Sequence, residues 1–268
     1  GSSIYSRLEL YKVGSTAAVG SDAGSFSDPA RIDVVNLVPG TYVLLAMEED
    51  GKYVGNYGLS LQVVNSSCVV PVGCAEELTA SIDKIVEMDA WYLPAQPGNR
   101  LILQMAAVSA SLDLHLEVYN ISGHQLRTLN ITGNGLARDT INLPGPIFLV
   151  AMDNEGNDLG NYIISVQLLR TSCVQWLGCG GDASANISKA AQMDGYAFQA
   201  DSAKLVRIRA SETAASFAPE ISVYRKGDAN FERVFSASGF LDTVFSAPKS
   251  DTFFLVYRDK LGHGLGAY

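Results

Sequence analysis

The sequence predicts an all-β protein made of tandem β-sandwich units, on three observations. Residues 160–179, GNYIISVQLLRTSCVQWLGC, restate residues 55–74, GNYGLSLQVVNSSCVVPVGC, at a spacing of 105. Apolar residues make up 47% of the chain and charged residues 18%, and the apolar ones fall in short runs without a long 3.6-residue stripe. Those runs are separated by Gly, Ser, Asn, Asp and Pro, the residues that end strands and make turns. At 268 residues the chain has room for about two domains, each able to bury its own core.

Taken in order, Leu8, Leu10 and Val13 open the pattern, and residues 20–28 read as turn. Strands are predicted over 32–35 and 42–45, and the acidic stretch 48–51 reads as a hairpin turn. Residues 57–63 place Tyr57, Leu59, Leu61 and Val63 on one face with Ser60 and Gln62 on the other, a half-buried strand. Further strands are predicted over 82–86, 91–93, 101–105, 114–119, 147–152 and 162–168. The second copy keeps the order: Asp194-Gly195-Tyr196 answers Asp89-Ala90-Trp91, and Ile221-Ser222-Val223-Tyr224 answers Leu116-Glu117-Val118-Tyr119. After a one-residue insertion, Phe253-Phe254-Leu255-Val256 answers Ile147-Phe148-Leu149-Val150. The expected units are 1–67, a partial sandwich without its opening strands; 68–172, a complete one; and 173–268, one without its last strand. A half sandwich exposes strand edges, so the expectation is completion by flanking sequence of a longer chain or by strands of another subunit.

Composition excludes several classes. A net charge of −9 and a pI near 4.8 oppose phosphate binding, which needs clustered Lys and Arg, so no nucleic-acid partner is expected. No run approaches the roughly 18 apolar residues of a membrane span, and neither end has the pattern of a signal peptide. The four cysteines, Cys68, Cys74, Cys173 and Cys179, lie in the two equivalent loops. Two pairs of identical spacing predict local disulfides, 68 with 74 and 173 with 179, made in an oxidising extracellular or cell-surface compartment; each small ring is worth about 2 kcal/mol. The alternative is a four-cysteine zinc site, for which Cys-x5-Cys is wider than the usual knuckle.

Catalysis is hard to assemble from this inventory. His115, His124 and His263 are scattered and lie in no metalloprotease or nucleophile-elbow motif, and the second copy has no histidine where the first has His115 and His124. His115 reads as an exposed strand residue. The chain is therefore expected not to be an enzyme and to need no cofactor. Calcium is the one candidate ion, at Asp153, Glu155 and Asp158 in the turn 153–158, whose carboxylates and amides are hard oxygen donors; the competing reading is a solvated hairpin turn. Sequons at Asn65, Asn120, Asn130 and Asn186 are candidate glycosylation sites. The apolar loops 69–72 and 174–177 read as plugs between consecutive sandwiches or as a contact surface.

The order of motifs in each unit resembles the bacterial pre-peptidase C-terminal domain: Asp89-Ala90-Trp91-Tyr92 or Asp194-Gly195-Tyr196, then a Leu-x-Val-Tyr-like strand, then an acidic turn and GNY-x-x-S-x-Q. The likeness covers residues 68–172 fully and the other two units in part, and the paired cysteines depart from the minimal pattern. It implies jelly-roll-like β-sandwiches in a secreted or surface protein, beside an enzyme and not acting as one. The expected function is that of an extracellular structural or adhesive repeat protein of a surface layer, fibre or filament, whose partners are copies of itself or neighbouring repeats and whose subunits complete one another's sandwiches. The alternative is an accessory substrate- or matrix-binding region of a secreted hydrolase such as a protease.

Overall fold

The computed structural model describes residues 4–25, 28–64, 69–211 and 217–268. Among them every extended element is a strand, apart from one 3-10 turn at Thr171–Cys173. No helix is long and apolar enough to cross a membrane.

The N-terminal region holds a three-stranded sheet of β1 (Ser6–Lys12), β2 (Ala18–Ala23) and β3 (Tyr42–Glu48), in the order β2-β1-β3. The turn expected at 20–28 is in part strand β2, and the expected strand at 32–35 lies outside the ladders. There Arg31 donates its backbone N–H to Asp22, and Asn36 turns the chain with a φ of 59°.

A sandwich follows: β4 (Val70–Pro71), β5 (Ala75–Ile82), β6 (Met88–Leu93), β7 (Arg100–Ala107), β8 (Leu114–Asn120), β9 (Gln125–Asn130), β10 (Leu136–Asn142), β11 (Ile147–Asp153) and β12 (Gly160–Leu168). One sheet has the order β10-β7-β12-β5 and the other β4-β6-β11-β8-β9. The strand expected over 82–86 is displaced towards the N-terminus. Val86 takes a φ of 55°, and the Glu87 carboxylate accepts the N–H groups of Asp83 and Lys84, so 83–87 is a turn. Tyr162, Ile164, Val166 and Leu168 of β12 meet Leu101, Leu103 and Met105 of β7 and Leu149 of β11 in a fully buried core.

A second sandwich is built from β13 (Gln175–Trp176), β14 (Asn186–Ile187), β15 (Met193–Ala200), β16 (Leu205–Ala210), β17 (Pro219–Arg225), β18 (Glu232–Ser236), β19 (Leu241–Ser246), β20 (Asp251–Asp259) and β21 (Gly266–Ala267). Its five-stranded sheet, β13-β15-β20-β17-β18, has the strand order of β4-β6-β11-β8-β9. Its other layer is two separate pairs, β16-β19 and β14-β21.

The disulfide overturns the local pairing. Cys74 is bonded to Cys173, 99 residues away, with their Cα atoms 5.6 Å apart. The reason is the sheet: β5 runs antiparallel to β12, and Leu168 donates its N–H to the Cys74 carbonyl, so the start of β5 lies beside the chain leaving β12. Cys179 is free and exposed, and Cys68 lies outside the described residues. The closed ring spans a whole sandwich. We expect Cys74→Ser alone to lose about 4–5 kcal/mol in chemical denaturation and a further Cys173→Ser to add almost nothing, where two local pairs would lose about 2 kcal/mol each, additively.

Candidate functional site

The residues expected to carry chemistry are held in structural roles. The Asp153 carboxylate accepts the backbone N–H groups of Asp113, Asn157 and Asp158 at 3.2, 2.9 and 3.2 Å, so it fastens the turn. Asp259 does the same in the second sandwich, accepting from Ala218, His263 and Gly264 at 2.8, 3.0 and 3.0 Å. The recurring acid at the end of this strand is thus a turn fastener. Asp158, with its pKa raised by desolvation and then by Asp153, Asp113 and Glu155, lies beside it, while Glu155 accepts from the Asn157 amide. Among the described residues no three or more His, Cys, Asp or Glu side chains are gathered to hold a metal ion.

His115 is not the exposed residue expected. Its side chain is 15% exposed, with Nδ1 2.6 Å from Asn130 Oδ1 and Nε2 3.2 Å from the Glu117 carboxylate. His263 contacts the Asn134 carbonyl, and His124 is exposed at a turn capped by Asn120. Of the sequons, Asn130 and Asn186 are exposed, Asn120 is half-buried with its side-chain oxygen accepting from Ser122 and His124, and Asn65 lies outside the described residues. The loop plugs are corrected in part. Val72 belongs to its own sandwich core, Leu177 packs on its own, and only Val174 packs in the junction between sandwiches.

That junction is where the two sandwiches bury their outer faces. Ile102 and Leu169 of the first meet Met193, Ala197, Tyr224, Phe254 and Val256 of the second. Ser165 and Gln104, opposite each other on β12 and β7, are buried on the same face. The Gln167 amide donates to the Cys173 carbonyl and lies 2.8 Å from where a Cβ on Gly195 would sit. Gly195 therefore stands where the first sandwich has Ala90, because a side chain there would strike Gln167.

Charged groups bind the junction's rim. Glu220 accepts from Arg138 across the junction and from Arg258 within its own sheet, at 2.7 Å from Nη2, while Arg258 also donates to Ser222 at 2.8 Å. Glu220 and Arg258 are both almost fully buried. The Arg100 guanidinium lies 4.5 Å from the centre of the Tyr224 ring and 3.3 Å from Glu232. The N-terminal region meets the first sandwich in the same manner, with Arg31 reaching Glu117 at 2.6 Å and Tyr119 at 3.2 Å on β8. Burial alone would push the Glu117 carboxyl up, but His115, Arg31 and Tyr119 overcome it and hold its pKa down to about 2. None of these contacts was foreseen. The available signal was a charged residue inside an otherwise apolar strand, as in Glu117, Glu220 and Arg258.

The closing strand carries a second constellation. Tyr162 on β12 donates to Asp89 on β6, and Tyr268 donates to Asp194 at 2.6 Å in the second sandwich. These two aspartates are the ones that carry the family resemblance. In the second sandwich, β21 pairs Gly266 with Ile187 and Ala267 with Asn186, the register of Gly160 with Ile82 and Asn161 with Ser81. Val206, Ile208 and Ala210 of β16 are half-buried where Leu101, Leu103 and Met105 of β7 are fully buried.

The expected strand at 57–63 lies outside the described strands. Ser60 and Gln62 are half-buried, whereas Tyr57, Leu59, Leu61 and Val63 are 70, 51, 79 and 44% exposed. Their counterparts Tyr162, Ile164, Val166 and Leu168 are buried.

No family model matches the chain, and no curated protein does. Among solved structures, the CUB1-EGF-CUB2 domains of rat MASP-1 align over 74% of this chain and 99% of theirs, at 8% identity and a TM-score of 0.25. Dimeric latent PorU from Porphyromonas gingivalis aligns over 85% of this chain and 24% of its own, at 8% identity and a TM-score of 0.22. The insecticidal delta-endotoxin Cry8Ea1 from Bacillus thuringiensis aligns over 99% and 51%, at 9% and 0.20. Likenesses this slight carry no argument about function.

Two outcomes test the junction chemistry. Glu220→Ala leaves Arg258 buried without its counter-charge and is expected to cost about 3–5 kcal/mol in denaturant unfolding. Glu117 titrates lower folded than its ordinary value of 4.5, so its contribution is full above about pH 4.5 and is lost as pH falls towards 2. Glu117→Gln is expected to flatten that acid limb, worth up to about 3 kcal/mol, in pH-dependent thermal melts.

Proposed function

We propose that the chain is a non-enzymatic structural or adhesive protein of the cell exterior, part of a surface layer, fibre or filament in which β-sandwiches stack in series. The observation that carries this reading is the junction. Strands β7, β11, β12 and β20 are buried along almost their whole length, so both faces of each sheet are in contact, one with its own core and one with a neighbour. A free-standing sandwich would leave its outer faces polar and wet.

Two further features support it. The Cys74–Cys173 bond suits an oxidising compartment, as a secreted protein requires. The buried carboxylates Glu117, Glu220, Asp153 and Asp259 are occupied by arginines or backbone N–H groups and hold the architecture together.

Negative-stain electron microscopy of the chain, made under oxidising conditions and concentrated, tests the proposal. Ordered filaments or sheets are expected. Dispersed monomers at high concentration that instead increase a secreted hydrolase's activity on an insoluble substrate would overturn it in favour of an accessory role.

A further inference from the structure

The junction between the two sandwiches is closely packed, yet its polar groups are not all satisfied. Among the described residues, the Gln104 amide leaves both its oxygen and its nitrogen without a hydrogen-bond partner, and Ser165 Oγ and Arg258 Nη1 have none either, although all three residues are almost fully buried. We propose that the junction is a hinged joint: the two sandwiches part at this interface as intact bodies, pivoting at Val174, well before either one unfolds. The joint is a property of a single chain; its use, as the part that gives between rigid links of a stacked array, rests on the structural reading above.

These groups lie in line across the interface. Arg138, Gln104 and Ser165 stand opposite one another across β10, β7 and β12, and Arg258 stands opposite Glu220 across β20 and β17. Alternation along β20 puts Arg258 on the same side as Phe254 and Val256, which meet Ile102 and Leu169 of the first sandwich. The same alternation along β7 puts Gln104 between Ile102 and Ala106. The polar row thereby divides the apolar contact in two, with Ile102, Tyr224, Phe254 and Val256 in one cluster and Ala106, Ile163 and Ala191 in the other. Each cluster is smaller than the core of either sandwich.

A buried amide without a partner has lost its bonds to water and gained none, so the closed junction carries a penalty that opening removes. Opening gives up the two apolar clusters and the ion pairs that cross the rim, Arg138 with Glu220 and Arg100 with Glu232, whose groups return to water. It spares the contacts within one sheet: Arg258 keeps Glu220 and Ser222. Unfolding a sandwich gives up a continuous core and its strand ladders as well. The junction is therefore the contact that opens at the lower free energy.

The crossing of the chain supplies the pivot. Cys173 is bonded to Cys74, which pins the chain to the first sandwich, and Gln175 already pairs with Tyr196 in the five-stranded sheet of the second. Val174 stands alone between these two anchors, extended at φ −137° and ψ 155°. Rotation at this one residue lets the sandwiches part, and the anchors on either side return them to the same register.

Thiol labelling tests the joint, read peptide by peptide in a mass spectrometer so that the native cysteines do not interfere. Val256→Cys places a reporter in the junction and Val223→Cys places one in the core of the second sandwich, and both valines are fully buried. With iodoacetamide under native, non-reducing conditions, the junction thiol is expected to react at least about tenfold faster than the core thiol. Low urea should raise junction labelling only slightly and core labelling steeply, because parting exposes less surface than unfolding. Gln104→Met with Ser165→Ala replaces the unpaired groups at nearly constant volume and is expected to slow junction labelling roughly tenfold; Gln104→Leu takes its place if the methionine variant does not fold. Junction labelling no faster than core labelling, or unslowed by the apolar replacements, sinks the proposal. Microscopy of the unaltered chain separates the two readings. Ordered assemblies alongside slow junction labelling leave the structural function standing and remove the joint; fast junction labelling without assemblies leaves the joint and removes its use in an array.

Discussion

Everything in the first sandwich depends on one strand finding its lane. β12 is the last strand of its unit, yet it sits in the interior of the four-stranded sheet, between β7 and β5. Until it arrives, β5 has no partner, the tyrosine that caps Asp89 is missing and the two cysteines are apart. Because β5 and β12 lie at opposite ends of the unit, their pairing is a contact of large sequence separation, formed only after a long loop has been closed. The core side of β12 seals the sandwich, and its other side, through Ser165 and Gln167, becomes part of the neighbour's surroundings. One strand thereby fixes the interior of one unit and the seat of the next.

The junctions share a physical theme with different residues. An arginine leaves one unit and reaches a carboxylate on the sheet face of the next, Arg138 to Glu220 in one case and Arg31 to Glu117 in the other. An aromatic residue stands beside each pair, Tyr224 and Tyr119, stacked under a guanidinium or bonded to one. Apolar contact supplies area, and the ion pairs set register, since a buried carboxylate slipped from its arginine would be strongly unfavourable. A polar group in an apolar interface thus selects one geometry over neighbouring ones.

Much of the architecture was legible in the sequence. β7, β11 and β12 announce themselves by apolar runs of strand length, and the 105-residue spacing relates GNY to GNY and Asp89 to Asp194. β2, β9 and β10 were missed because each puts polar or small residues on its exposed side and buries few, if any, large ones; Asp139 and Arg127 pair with each other on that surface. The cysteines were misread for a different reason. Spacing shows which cysteines are equivalent, but proximity depends on which strands are neighbours, and β5 beside β12 is a fact of topology. The carboxylate of Asp153 drew attention as a donor for calcium, whereas three backbone N–H groups, two of its own loop and that of Asp113 before β8, already occupy it.

The ring closed by Cys74 and Cys173 also has a mechanical meaning. Tension applied along the chain enters the first sandwich near one cysteine and leaves near the other, so the load crosses a single covalent bond and bypasses the strands between them. Those strands hold roughly 330 Å of contour length if fully extended, and none of it can be paid out while the bond is intact. The sandwich behaves as a rigid link of fixed length: it can be loosened by heat or denaturant, but pulling on its ends does not lengthen it.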